Sequence, residues 1–265
     1  MDSSGTLHLV WVEWDGIHYS SAPAWATTTG HSWSAPTLIT NPGYVGTPLQ
    51  LGCDGEDRLH LVYSDWGNGS SPTDGNLYYV YSADGGDTWS EPLKVSAFSP
   101  GQEVVILPRM AVDATGQLHI VWSQNSWPGW QQMGVYYARF ASGDEPTEVV
   151  EVMHRRVDDR WMTAPSVALA GSQIQMTWVC GELPHRCYQW SADGGDTWSA
   201  PRQVFGDLIS LANWDALAVD SAGTPYWIAQ LRYPEAMYYS VWKGTSWMDP
   251  PERPDLSGQL GCAGG

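Results

Sequence analysis

The sequence predicts an all-β fold assembled from one repeating unit, and three observations carry this. The nine residues SADGGDTWS occur twice without a change, at 82–90 and 191–199. A second phrase recurs in step with them, as GTLHLVW (Gly5–Trp11), RLHLVY (Arg58–Tyr63), GQLHIVW (Gly116–Trp122), SQIQMTW (Ser172–Trp178) and GTPYWIA (Gly223–Ala229). Apolar and polar residues alternate in these phrases, the period of a half-buried strand. The aromatic content leans to 17 Trp and 13 Tyr against 3 Phe, rings with an apolar body and a polar tip that suit strands and wet surfaces.

The elements follow in order. Ahead of most second strands stands a hairpin turn, DSSG, DGED, DATG or DSAG, rich in the residues that tolerate tight turns. Before those turns come first strands, PLQLGC, PRMAVD, PSVALA and DALAVD; after a variable loop come aromatic third strands, IHYS, LYYVYS, VYYARF, CYQWS and MYYSV. An Asp-rich turn and a fourth strand end each unit. The two exact copies lie 109 residues apart, two periods of about 54. Worn versions end at Trp33 (ATTTGHSW) and Trp247 (SVWKGTSW). Four antiparallel strands per ~50 residues, repeated, is the pattern of a propeller blade.

Five second strands predict a five-bladed β-propeller of four-stranded antiparallel blades, a single domain over 1–265. The blades fall at about 1–40 plus 256–265, 47–96, 107–152, 163–205 and 213–250. The chain opens on a second strand, and Gln259–Cys262 repeats the QLGC of Gln50–Cys53. A C-terminal strand is therefore expected to complete the N-terminal blade and close the ring.

A formal charge of −17 with only two lysines, Lys94 and Lys243, would repel a phosphate backbone, so no nucleic-acid partner is expected. No run approaches the length of a membrane-spanning helix, and MDSSGTLHLVW lacks the basic and apolar regions of a signal peptide. The expectation is no membrane partner, and an extracellular location if the chain derives from a secreted parent. Cys180 and Cys187 bracket a loop, where a local bridge and two free thiols are both compatible with the spacing; no cysteine pair has CxxC spacing, and neither a metal nor a cofactor is expected. His8, His60 and His119 occupy one position of the second strand in three units, so they recur because the unit recurs.

The pattern S-x-D-x-G-x-T-W is complete at Ser82, Asp84, Gly86, Thr88 and Trp89 and again at Ser191, Asp193, Gly195, Thr197 and Trp198. It resembles the Asp-box, or BNR repeat, of the sialidase-like propellers. The physical reading is structural: each Asp accepts backbone N–H groups of its own turn, the glycines allow positive φ, and the Trp packs beneath. The resemblance implies that these turns lie on the rim opposite the active site. Function is then expected on the other face, with the non-repeating loops: EWDG (Glu13–Gly16), SDWGNGSSPTDGN (Ser64–Asn76), SQNSWPGWQQ (Ser123–Gln132), CGELPHRC (Cys180–Cys187) and QLRYPEA (Gln230–Ala236).

Trp14, Trp66, Trp127, Trp130 and Tyr233, with Arg186 and Arg232, are the candidate ligand-binding residues there, because a sugar stacks its apolar face on a ring while polar groups take its hydroxyls. The same rings can instead cover the loop bases. The resemblance also implies a sialidase arginine two positions before the proline that opens an innermost strand. Those positions hold Gly46, Ile106 and Thr163, and Asn213 or Asp255 where the proline is missing. Arg109 follows its proline, out of register, which argues against ordinary sialidase chemistry. Loop carboxylates leave hydrolysis open, with Asp65, Glu182 and Glu235 as catalytic candidates. The leading expectation is lectin-like binding of a glycan or another polar ligand; the alternatives are an exo-acting glycoside hydrolase and a protein-interaction module.

Overall fold

The computed structural model describes residues 1–27, 32–67, 72–97, 102–113, 115–129, 132–143, 149–154, 163–181, 183–206, 208–220, 222–232 and 236–248. Those residues form five antiparallel sheets in chain order. Sheet one holds β1 (Thr6–Glu13), β2 (Gly16–Pro23) and β3 (Thr37–Thr40). Sheet two holds β4 (Val45–Cys53), β5 (Leu59–Gly67), β6 (Pro72–Ser82) and β7 (Leu93–Lys94). Sheet three holds β8 (Glu103–Val112), β9 (Gln117–Ser126), β10 (Gln132–Ala141) and β11 (Val149–His154). Sheet four holds β12 (Thr163–Ala170), β13 (Gln173–Cys180), β14 (His185–Ser191) and β15 (Arg202–Val204), and sheet five β16 (Ile209–Val219), β17 (Pro225–Arg232) and β18 (Ala236–Val241).

Each strand pairs with its sequence neighbour, so the hydrogen-bond ladders close locally through short hairpins. The innermost strands β4, β8, β12 and β16 lie side by side. Between consecutive sheets the side chains form one apolar cluster per junction. Ile17 meets Leu61, Tyr63 and Val80; Leu77 and Tyr79 meet Ile120, Trp122 and Phe140; Val121 and Tyr137 meet Met176 and Trp178; Tyr188 and Phe205 meet Trp227 and Trp247. Trp122, Trp178 and Trp227 are fully enclosed, each burial contributing roughly 5 kcal/mol at ~25 cal/mol per Å².

The two identical phrases fold identically. Ser82 Oγ accepts from Gly86 N–H (2.8 Å), while Asp84 Oδ1 accepts from Thr88 N–H (2.9 Å) and from Ser82 Oγ (2.8 Å). Ser191, Gly195, Asp193 and Thr197 repeat these bonds at 2.7–2.9 Å. The Thr88 and Thr197 hydroxyls, donating to the second oxygen of each carboxyl, act first, and with the bonds above they hold both carboxyls well below the usual range, at about 2. Gly86 (φ +98°) and Gly195 (φ +96°) are required twice over, because a Cβ there would also strike Tyr19 and Tyr137 of the preceding sheet. The tryptophans do more than pack under their own turns. Trp89 meets Tyr19 edge-on at 5.6 Å and Trp198 meets Tyr137 at 5.1 Å, each clamping one sheet to the one before.

His8, His60 and His119 have a structural explanation. In sheets one to three an Asp of the first turn faces a second-strand His, whose Nδ1 faces a third-strand Tyr. Asp2–His8–Tyr19 spans 3.0 and 2.8 Å, Asp54–His60–Tyr79 3.2 and 2.9 Å, and Asp113–His119–Tyr137 3.8 and 2.8 Å. Tyr19 then donates to Gly85 O of sheet two (2.6 Å). Each relay ties a turn to two neighbouring strands, and the first reaches the next sheet. The histidines lie in three separate sheets, as expected of a repeat and not of a metal cluster.

Candidate functional site

Two polar regions stand out from the repeat, one along the adjacent strands β4, β8, β12 and β16 and one among the loops. The first begins with a backbone irregularity. The innermost strands slip register between Gly46 and Gln50, Ile106 and Arg109, Thr163 and Ser166, and Ser210 and Asp215. Leu107 (φ +52°) and Ala164 (φ +50°) carry the slip just ahead of Pro108 and Pro165, a conformation costing about 1–3 kcal/mol for a residue other than glycine. The bulge places Arg109 and Ser166 at one register position.

Asp215 is the hub of this region. Its carboxylate accepts from Trp227 Nε1 (2.8 Å), Ser166 Oγ (3.2 Å) and Thr177 Oγ1 (3.4 Å), and pairs with Arg186 Nη1 at 3.1 Å. The Arg186 and Asp215 side chains are 0% and 2% exposed. Burial pulls the Arg186 guanidinium below its ordinary pKa and Asp215 opposes this; the same two causes act on Arg109. Arg186 is therefore committed between sheets four and five and enclosed, where the sequence suggested a ligand contact. Nothing in its local sequence marks this, since the partner Asp215 lies in another sheet.

The rim is open and assembled from the second-to-third-strand loops. Gly16 packs its α-carbon against Thr40 O, where a Cβ would sit 2.4 Å away, seating the β1–β2 hairpin on β3. The connection after β3 meets the end of β5: Trp66 N–H donates to Tyr44 O (2.7 Å), and Gly43 lies so close to Gly67 that a side chain would collide with its carbonyl. The Tyr44 and Trp66 rings are 6.1 Å apart and tilted by 34°. Trp66 Nε1 donates across to Val105 O of sheet three (3.0 Å), which fixes the indole. Tyr44 is 51% exposed, and Trp14 at the tip of the neighbouring hairpin 93%. Trp127 is half-buried, its N–H donating to Gln102 O (2.7 Å). Asp65 Oδ1 accepts from Gly67 N–H (2.7 Å), so this carboxylate shapes the loop that carries Trp66.

Tyr44 escaped the sequence reading because it sits in a connection between units, and no repeat flags it. Trp130, Glu182, Tyr233, Glu235 and the segment 155–162 lie outside the described residues, and nothing is described of the Arg232 side chain. Of the three catalytic candidates only Asp65 is therefore described. Cys180 and Cys187 are disulfide-bonded across the β13–β14 hairpin, with Cα atoms 5.9 Å apart, and raise Leu183 (56% exposed) at its tip. Among the described residues one group, Glu13, Asp15 and His18, brings three possible metal-ligand atoms within 4.8 Å of one another. His18 Nε2 faces Asp15 Oδ1 at 2.8 Å, and Glu13 accepts from Trp11 Nε1 at 2.6 Å.

No protein-family model matches the chain, and no curated protein does. Solved structures match along nearly all of its length. The Hadza microbial sialidase Hz136 is 15% identical with a TM-score of 0.55, over 93% of this chain and 56% of that one. An ulvanlyase bound to -[GlcA(1-4)Rha3S]- is 13% identical with a TM-score of 0.55, over 94% and 69%. The α-L-arabinofuranosidase Arb93A from Fusarium graminearum is 12% identical with a TM-score of 0.58, over 93% and 78%. The chain thus spans little more than half of the sialidase it matches. The structural neighbours are β-propeller glycoside hydrolases and lyases, and the five antiparallel sheets match their propeller fold.

Proposed function

We propose that this protein binds a glycan on its loop face, with Tyr44 and Trp66 as the stacking platform and Trp14, Trp127 and Asp65 beside it. One observation carries the reading. The Trp66 indole is braced by a hydrogen bond to Val105 O of the next sheet, and the Tyr44 ring lying 6.1 Å from it stays half exposed. A fixed indole with an open phenol against it forms an immobilised platform, which lowers the entropy cost of seating a sugar. The fold shared with carbohydrate-active enzymes supports the same direction, though a fold alone assigns no activity. Trp130, Tyr233 and Arg232, which the repeat pattern of the sequence assigns to loops of this face, are part of the surface we propose. Substituting Trp66→Ala should weaken glycan binding at least tenfold, since stacking and hot-spot aromatics contribute about 1.5 kcal/mol or more. A glycan array followed by calorimetry measures it, and unchanged affinity in a folded Trp66→Ala variant would remove the platform from the argument.

The scaffold we propose for this face is a closed ring of five blades, with the Ser82–Trp89 and Ser191–Trp198 turns as Asp-boxes on the opposite rim. Sheet one has no strand inside β1 among the described residues, and Gln259–Cys262 repeats the β4 residues Gln50–Cys53. On this reading the β4 register, transferred, would set Gly261 opposite His8, as Gly52 stands opposite His60. The side chains agree. Tyr63, Trp122 and Trp178 share one register position and are buried against the preceding sheet, whereas Trp11 at that position lines a cavity of about 550 Å³ with Leu9, Trp33 and Pro36. Ile228 and Met237 of sheet five are likewise half exposed. Closure would bring these two faces together. Deleting 256–265 should then lower the melting temperature sharply; an unchanged melt would sink the closed ring.

A further inference from the structure

The loop face is divided by charge, and the division bears on which sugar it takes. The described segments of the arc over sheets one to three are 11–16, 40–46, 64–67, 72–76, 96–97, 102–103, 123–129 and 132. They contain Glu13, Asp15, Asp65, Asp74 and Glu103 and not one Lys or Arg. Asp74 is compensated, pairing with Lys94 at 3.1 Å and accepting from Tyr78 OH at 2.6 Å. Glu13, Asp15, Asp65 and Glu103 have no Lys or Arg partner among the described residues. Other arginines near loops in the sequence are Arg155, Arg156 and Arg160 between β11 and β12, Arg186 in β14 and Arg232 at the end of β17. Of these, Arg186 is consumed by Asp215.

An acidic sugar seated on Tyr44 and Trp66 would therefore bring a further negative charge to an arc whose described residues meet one cation, Lys94, already paired with Asp74. A sugar bearing an ammonium group meets the opposite field. Its charge is attracted by the fixed carboxylates and by the face of the indole or phenol it stacks on. A neutral sugar falls between the two. Resting on the glycan-binding reading above, we propose that the Tyr44–Trp66 subsite selects amino sugars with a free amine over neutral ones and rejects uronic and sulfated sugars. This runs against any expectation taken from acidic ligands of the structural neighbours, because the charges of this arc have the wrong sign for them.

The test is calorimetric titration of the full chain with three hexamers: β-1,4-glucosamine, its fully N-acetylated form, and galacturonate. It is run at a slightly acidic pH where the amine is protonated, in low and high salt. The amine form should bind roughly tenfold more tightly than the acetylated form in low salt, with the uronate weaker still, and high salt should draw the three together. Replacing Asp65→Asn, which keeps an acceptor for Gly67 N–H, together with Glu13→Gln should close the gap between amine and acetylated forms. Glu13→Gln alone, free of any role in the Trp66 loop, should narrow it. Uronate binding as tightly as amine, or a gap unmoved by both variants, would overturn the charge selection while leaving a glycan-binding rim intact. If none of the three binds and Trp66→Ala changes no array signal, the glycan reading falls and the selectivity falls with it.

Discussion

Replacing Asp215 with Ala should destabilise the protein by about 3–5 kcal/mol, the cost of leaving a buried guanidinium without its counter-ion. The geometry sets this size. Arg186 is fully enclosed, its charged form already disfavoured by burial, and Asp215 Oδ2 lies 3.1 Å from its Nη1. The same carboxylate also satisfies Trp227 Nε1, Ser166 Oγ and Thr177 Oγ1, so the substitution orphans several donors at a junction of two sheets. The pair is not thereby a net source of stability, because bringing both charges out of water costs several kcal/mol per ion before they attract. The double substitution Asp215→Ala with Arg186→Met should consequently be far milder than the sum of the two single changes. Urea unfolding of the four proteins measures the coupling. Additive losses would show that the two residues do not act as a unit, and a mild Asp215→Ala would show that water reaches Arg186.

The sequence was informative wherever the repeat spoke. Alternation within five phrases located the second strands, and the invariant Ser, Asp, Gly and Thr of the two identical turns forecast hydrogen bonds that lie within one turn and need no tertiary context. The shared position of His8, His60 and His119 forecast equivalence, although not the Asp–His–Tyr relay, because the Tyr stands one strand further along and its spacing varies from unit to unit. The candidate site was harder to read for the opposite reason. Tyr44 and Trp66 meet through a connection and a loop that obey no period, and Gly43 and Gly67 matter only because two backbones cross there. Arg186 misled for a related cause: a charged residue beside a loop looks available, and only the position of Asp215 in a different sheet shows that its charge is spent.

The relays make acid sensitivity predictable in sign. His119 is 2% exposed; burial is the main cause pulling it from 6.5 to about 4, helped by Arg139 and opposed by Asp113. Burial likewise pulls His60 down, with Asp54 opposing. Unfolded, either histidine takes up a proton near its ordinary value of about 6.5. Between about pH 6.5 and 4 the unfolded chain therefore binds more protons than the folded one, and stability falls as pH falls, while above about 6.5 neither group contributes a slope. His119 alone accounts for about 3 kcal/mol of loss across that window. The carboxylates act later. Burial opposes, but the hydrogen bonds of their turns prevail and hold Asp54 and Asp113 below 3.8 and Asp2 at about 2, so their contribution is lost as pH falls from about 3.8 through those lowered values. Acid unfolding should thus proceed in two windows, histidine first and aspartate second. Urea midpoints recorded from neutral pH to near pH 4 should shift steadily downward, and His119→Gln, which removes the titrating group but can still bridge Asp113 and Tyr137, should flatten most of its share. A flat profile in the wild type, or an unchanged slope in the variant, would mean that the relays carry a charged imidazole at neutral pH, and that the Asp–His pairs act as buried ion pairs.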